Sequence, residues 1–340
     1  MRKSRKMMAA MISAAALTLL AGCGGAASGA GKAVDASAHA GADGKYEMAY
    51  VLSTRDEYLR TLEDGIRKAA EEKGVDMEYY YAGNDSLKMI DCVEAARNQG
   101  KDAVLINLNA AEEAQACIEA AGDMKVVFVN RVPADFEVLS ENAVAVASDE
   151  NQSGKFQGEY LADYFKKEGK TDVSYVLLRG TDGLVHTELR SEGAVKALKD
   201  AGINVKETAV VEADFDRNTA KEELEGMLPS LQYDCIIANN DAMAIGAIMA
   251  MKDDGIDPAS VPVVGIDATT DGKQAIREGE MAMTVFQSAE GQTEGAVAAA
   301  INMLEGNPIE EGTGCEHTSE NPYVLYYPFV PVTAENLENI

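Results

Sequence analysis

The chain has 340 residues, 46% hydrophobic and 26% charged, an ordinary globular composition with enough length for two modest cores. Its 57 Asp and Glu against 30 Lys and Arg give a net charge of −27. A surface so acidic repels phosphate backbones and anionic headgroups, which disfavours nucleic-acid binding and electrostatic docking on a membrane and leaves a neutral small ligand as the natural partner.

Arg2, Lys3, Arg5 and Lys6 precede a mostly apolar stretch, 7–21, too short to span a bilayer comfortably, so residues 1–22 read as an export signal. The stretch ends in Leu20-Ala21-Gly22-Cys23, which resembles the bacterial lipobox, where the cysteine is diacylated and the preceding peptide removed. Two acyl chains anchor durably, at roughly 0.8 kcal/mol per buried CH2. Losing the four basic residues would take the net charge from −27 to −31. Residues 23–45 are Gly, Ala, Ser, Asp and His with almost no bulky apolar side chain, a lipidated flexible leash. Export permits disulfides, but Cys92, Cys117 and Cys235 fall on apolar faces, where free core thiols are the expectation; the state of Cys315 is left open.

From Tyr46 onward, short apolar runs at 48–52, 77–81, 103–108, 126–129, 143–147, 173–178, 208–211, 235–238, 261–266 and 283–286 predict strands. Between them lie helical-period stretches such as 59–73, 87–98, 154–167, 188–201, 242–253 and 292–304. The alternation predicts an α/β chain of parallel-dominated sheets with helices on both faces, and about ten strands suit two lobes better than one sheet. Ligands of such sheets bind at the carboxyl ends of the strands. The loops there carry Asp56, Asn107, Asn130-Arg131, Ser148-Asp149-Glu150, Asn239-Asn240-Asp241 and Asp267, a rim of amides, carboxylates and arginines that suits hydroxyl groups, each of which donates and accepts.

No Gly-rich nucleotide-binding turn follows a strand, no Gly-x-Ser-x-Gly elbow occurs, and His39, His186 and His317 are far apart with no Cys-x-x-Cys pair. No cofactor and no structural zinc is expected and nothing recommends a hydrolase, while a glycosidase carboxylate pair stays open here because its partners need not be close along the chain. Together with the resemblance carried by the strand-end segments, the expectation is a binding protein without a metal and not an enzyme.

The strand-end segments Leu105-Ile106-Asn107-Leu108, Val126-Val127-Phe128-Val129-Asn130, Ile237-Ala238-Asn239-Asn240-Asp241 and Val264-Gly265-Ile266-Asp267-Ala268, with Pro328-Phe329-Val330-Pro331-Val332 near the end, resemble bacterial periplasmic sugar-binding proteins of the ribose and galactose/glucose type. The resemblance implies a type I two-lobed fold joined by three crossover segments that closes on its ligand by a hinge, a motion for which periplasmic binding proteins are a standard example. Breaks near Arg131, Gln287 and Tyr323 would assign 46–130 plus 288–323 to an N-terminal lobe and 131–287 plus 324–340 to a C-terminal lobe.

The resemblance also implies the ligand-binding residues. Asp56 stands where the family has an acceptor, though it also suits a helix N-cap, and Tyr58 and Phe215 stand where it has two aromatic platforms. Asn107, Asn240 and Asp267 match its hydrogen-bonding residues, Gln287 a crossover amide, and Arg190 an arginine fork. His186 departs from the galactose/glucose type, replacing a carboxylate, which puts glucose and galactose in doubt and leaves pentoses, deoxyhexoses and inositols open. The implied function is a monomeric, lipid-anchored extracytoplasmic receptor that hands a small neutral sugar or polyol to an ABC importer permease. The alternative is a sensory input to a chemoreceptor or histidine kinase.

Overall fold

Residues 48–52 carry no polar residue, and they form the centre of β1 (Glu47–Leu52), buried on both faces. Met48, Tyr50 and Leu52 point into one core and Ala49 and Val51 into another, as the twofold period of a strand requires. The computed structural model describes residues 45–318 and 321–340; the export signal, Cys23 and the leash up to residue 44 lie outside the described residues.

From β1 the chain runs through α1 (Glu57–Lys73), β2 (Asp76–Tyr81), α2 (Ser86–Asn98), β3 (Ala103–Ile106), α3 (Ala114–Ala121), β4 (Lys125–Val129) and β5 (Ala143–Ala147). It continues with α4 (Glu150–Lys167), β6 (Asp172–Arg179), α5 (Val185–Asp200), β7 (Asn204–Glu212), α6 (Arg217–Leu224), β8 (Cys235–Ala238), α7 (Asp241–Asp253), β9 (Val263–Val264), α8 (Thr270–Glu278) and β10 (Thr284–Phe286). It ends with α9 (Ala289–Glu305), β11 (Glu316–His317), β12 (Val324–Tyr326) and β13 (Val330–Val332).

Among the described residues the strands form a seven-stranded sheet, a four-stranded sheet and a two-stranded one. The largest has the order β11-β12-β5-β4-β3-β1-β2 and is parallel except at β11. On one face, α1 and α9 cover Met48, Tyr50 and Leu52; on the other, α2 and α3 cover Ala49 and Val51. The second sheet, β7-β6-β8-β9, is wholly parallel, and parallel bridges Val264↔Met283 and Asp267↔Phe286 set β10, with its antiparallel partner β13, beside β9. Along β6, Val176 and Leu178 face the core under α6 and α7, while Tyr175 and Leu177 face the one under α4 and α5. Each fully buried Leu or Val contributes about 1.5–3 kcal/mol, and four such layers hold the two lobes.

Two of the predicted crossovers move. The run 143–147 belongs to the larger sheet, with Val126 opposite Ala143, so the chain leaves the first lobe after Ala147 and not at Arg131. Arg131 itself donates to Ser53 Oγ (3.1 Å) and Leu108 O (2.8 Å) of the first lobe. An Ala-Val-Ala-Val-Ala strand carries no mark of which sheet it joins; only pairing decides. The last passage falls between β12, paired with β5, and β13, paired with β10, which places it at Tyr327–Phe329 and not at Tyr323. The middle passage runs from β10 through Gln287 and Ser288 into α9.

Candidate functional site

The carboxyl ends of both sheets face each other across one cleft. Asp56, Tyr58, Leu59, Asn130 and Arg131 line it from the first lobe. His186, Arg190, Phe215, Asn240, Asp267 and Gln287 line it from the second. Eight of the nine residues singled out from sequence therefore meet there.

Helix starts position several of them. Asp56 caps α1, its Oδ1 accepting from Leu59 N at 2.7 Å, and Asn240 caps α7, its Oδ1 accepting from Met243 N at 3.0 Å. Burial raises the Asp56 carboxyl above its ordinary pKa, against the Leu59 amide and the Arg131 charge. Asn240 Nδ2 also donates to Phe215 O at 3.2 Å, tying the α7 cap to the aromatic residue beside it. Tyr58 is nearly buried, and its hydroxyl accepts from Gln292 Nε2 at 3.4 Å.

Three lining residues have left-handed backbone: Asn130 at φ 68°, Phe215 at φ 60° and Asp267 at φ 117°. Asparagine tolerates that region, but for Phe and for Asp at this angle it is strained, and such strain clusters at ligand sites.

Charge is arranged around Arg190. Its Nε and Nη2 form a bidentate pair with Glu150 Oε2 (2.8 Å) and Oε1 (2.6 Å), and Nη1 donates to Asn239 O at 2.9 Å. Nη2 also reaches Gln287 Oε1 at 3.4 Å. Although burial opposes it, the Arg190 guanidinium holds the Glu150 carboxyl below its ordinary pKa.

Asp267 has no such hydrogen-bonded partner. It is buried, its Oδ1 makes no hydrogen bond, and Arg190 Nη1 stands 3.9 Å away. Burial first, and then the nearby Asp241, Asp56 and Glu150 carboxylates, raise its pKa well above the usual range against Arg190. An orphaned buried carboxylate oxygen costs about 1–3 kcal/mol or more, and Oδ1 stands in the cleft with that acceptor capacity unmet.

His186 Nε2 lies 3.3 Å from Asn130 O and 3.6 Å from Glu150 Oε1. Burial depresses its pKa to about 4 despite Glu150, with Arg190 and Arg131 adding to the depression, so the ring is neutral at neutral pH. Because a carbonyl only accepts, Nε2 carries the proton and Nδ1 is left as an acceptor.

Asn107 is the exception among the nine. It is fully buried behind the cleft, where Oδ1 accepts from Ser53 Oγ (2.5 Å) and Nδ2 donates to Val129 O (3.2 Å) and Asn130 Oδ1 (3.4 Å). Its side chain is spent on supporting Ser53 and Asn130, so the expected contact with ligand is corrected to a bracing role. Conversely, Asn130, Arg131 and Glu150 belong to the site without having been singled out. The signal was their position at strand ends; what sequence could not show was that Glu150, on α4, meets Arg190, on α5. Gln292 was missed too: it accepts from Asn130 Nδ2 (3.3 Å) and donates to Ser148 Oγ (3.0 Å).

Among the described residues there is no cluster of three or more His, Cys, Asp or Glu able to hold a metal, and no helix is long and apolar enough to cross a membrane. Cys92, Cys117, Cys235 and Cys315 are free thiols, the first three buried, and burial pushes the Cys117 thiol up to about 12.

Residues 48–308 match the model of the periplasmic binding protein domain. The chain is 31% identical over 284 residues to the ribose import binding protein of Haemophilus influenzae, covering 82% of this chain and 91% of that one. It is 31% identical over 261 residues to the D-galactose/methyl-galactoside binding periplasmic protein of the same organism, covering 73% and 76%. The crystal structure of an ABC transporter solute binding protein from Bacillus halodurans C-125 with bound myo-inositol superposes with a TM-score of 0.76 at 26% identity, covering 87% of this chain and 96% of that one. The two-lobed α/β architecture with its cleft between facing strand ends is the type I fold of these proteins, and the chain belongs to the periplasmic binding protein family.

Proposed function

We propose that the chain is an extracytoplasmic receptor that captures a small neutral sugar or polyol between its lobes and delivers it to an ABC importer permease. The observation that carries this reading is Asp267 Oδ1, which makes no hydrogen bond although it is fully buried in a cleft that Tyr58 lines from one lobe and Phe215 from the other. A ligand hydroxyl donating to that oxygen satisfies it. Asp56, Asn240, Gln287 and the free Nδ1 of His186 offer further acceptors and donors, and the rings of Tyr58 and Phe215 suit the apolar faces of a sugar ring. Arg190 is largely spent on Glu150 and Asn239, so it contributes charge balance more than contacts, which suits an uncharged ligand. A wrong epimer is rejected because it leaves a buried group unpaired, at about 1–3 kcal/mol.

In this reading the chain binds without catalysing a reaction, and the lipobox-like segment ending at Cys23 anchors it outside the cell membrane. Affinity is expected to be micromolar or better, on the order of −8 kcal/mol. The deciding experiment is a thermal-shift screen with D-ribose, D-galactose, D-allose, myo-inositol and related polyols, followed by calorimetry. One or more should raise the melting temperature by mass action. A flat panel, or turnover of offered glycosides, would overturn the reading. Uptake that survives deletion of this chain while a signalling response is lost would favour the sensory role.

A further inference from the structure

We propose that Asp241 is the positioning residue that aims Asp267 into the cleft, by pinning the strained turn between β9 and α8. The proposal rests on the reading of Asp267 as a ligand-facing group.

Asp241 is the first residue of α7, fully buried and not part of the cleft lining. Its carboxylate is shared between two segments distant in sequence. Oδ1 accepts from Thr284 Oγ1 at 2.6 Å, and Oδ2 accepts from Thr269 N at 2.8 Å and Thr269 Oγ1 at 3.2 Å. Thr284 Oγ1 in turn accepts from Ala268 N at 3.2 Å. One side chain thus holds the amides of residues 268 and 269, one directly and one through a threonine. Immediately before them stands Asp267, whose own amide donates to Val285 O at 2.7 Å.

The turn needs holding. Asp267 at φ 117° and Ala268 at φ 54° are consecutive residues with side chains in backbone regions that favour glycine. Relaxation of either to negative φ would swing the Asp267 carboxylate away from Arg190 and Tyr58. The surrounding backbone is shaped to the Asp241 carboxylate: a Cβ on Gly265 would lie 2.3 Å from Oδ1, and one on Gly272 2.2 Å from Oδ2. Asp241 N closes the connection by donating to Ile266 O at 2.7 Å. Asn240, next to it, lines the cleft, so the start of α7 supplies one lining residue and holds another.

The test uses D241N, T284V and T284S in the full chain. Asn keeps the shape but presents an NH2 to one of the two groups of donors; Val removes the hydroxyl relay; Ser restores it. Crystal structures of the unliganded variants should show residues 267–268 at altered φ and the Asp267 carboxylate displaced in D241N and T284V, with T284S superposing on the parent. This readout is independent of any ligand. Should D241N fail to fold, the Val and Ser pair decides. For D-ribose or myo-inositol, whichever the parent binds, affinity should fall at least tenfold in D241N and T284V and stay within about twofold in T284S, and D241N should add no further loss to D267A. An unmoved Asp267 in both D241N and T284V overturns the proposal, as does a lower melting temperature with unchanged affinity. Absence of binding by the parent would sink the receptor reading alone, because the structural comparison still decides the positioning role.

Discussion

A Cβ placed on Gly180 would lie 2.0 Å from Cζ of the Phe215 ring, so the ring stands at the cleft because residue 180 has no side chain. Gly180→Ala should therefore displace the ring, costing about 1–3 kcal/mol by overpacking and weakening sugar or polyol binding at least tenfold. Gly180→Ala combined with Phe215→Leu should recover most of the stability in urea unfolding but not the affinity by calorimetry. Recovery of both would remove Phe215 from the binding surface.

Glu150 and Arg190 are buried together, and each compensates the other's charge. Removing one partner should cost about 3–5 kcal/mol, whereas replacing both with apolar residues should cost less than either single change. Urea unfolding of Glu150→Gln, Arg190→Met and Glu150→Met/Arg190→Met checks this. Additive costs would mean that the pair is not the unit the geometry describes.

Asp267→Asn should move stability and affinity in opposite directions. The folded-state pKa of Asp267 is raised, so the unfolded chain releases the proton first and the native state loses stability as pH rises above the ordinary carboxylate range. Without a titrating group, the Asn variant should be at least as stable as the parent at pH 7, with the advantage shrinking toward pH 4. Binding should nevertheless weaken tenfold or more. A variant that is both less stable and equally tight would refute the assignment.

His186 titrates in the opposite sense. With its pKa depressed from 6.5 to about 4, the unfolded chain takes up a proton between those values that the native state refuses, so this residue's contribution is lost as pH falls through that window. The slope is at most about 1.4 kcal/mol per pH unit. Asp241, raised from 3.8 to about 7, pulls the other way over nearly the same range. The prediction accordingly concerns a difference: relative to His186→Gln, the parent should lose stability from pH 6.5 to pH 4 in urea titrations. Parallel curves would show that the imidazole is not held neutral.

What could be read in advance, and what could not, follows from the range of the interactions. The runs 143–147 and 235–238 coincide with β5 and β8 because a strand buried on both faces is continuously apolar. Strand β7 begins at Asn204, earlier than its apolar run, because as an edge strand it exposes Asn204, Lys206 and Glu207 and carries no continuous hydrophobic signal there. Helix α6 buries little beyond Ala220 and Leu224, too few residues to mark a period. At the cleft, lining residues were legible wherever a polar group ends a strand. The pairing of Glu150 with Arg190 and the bracing of Asn107 depend on which elements become neighbours, and no local pattern records that.

Three passages of the chain between the lobes also govern how the molecule is made. Strand β12 closes against β5, and β13 against β10, only after residues 324–332 have left the ribosome. Neither half can be completed as an autonomous N-terminal unit during synthesis. A nascent chain halted before residue 324 should remain open to proteases and chaperones even though most of its strands have already emerged.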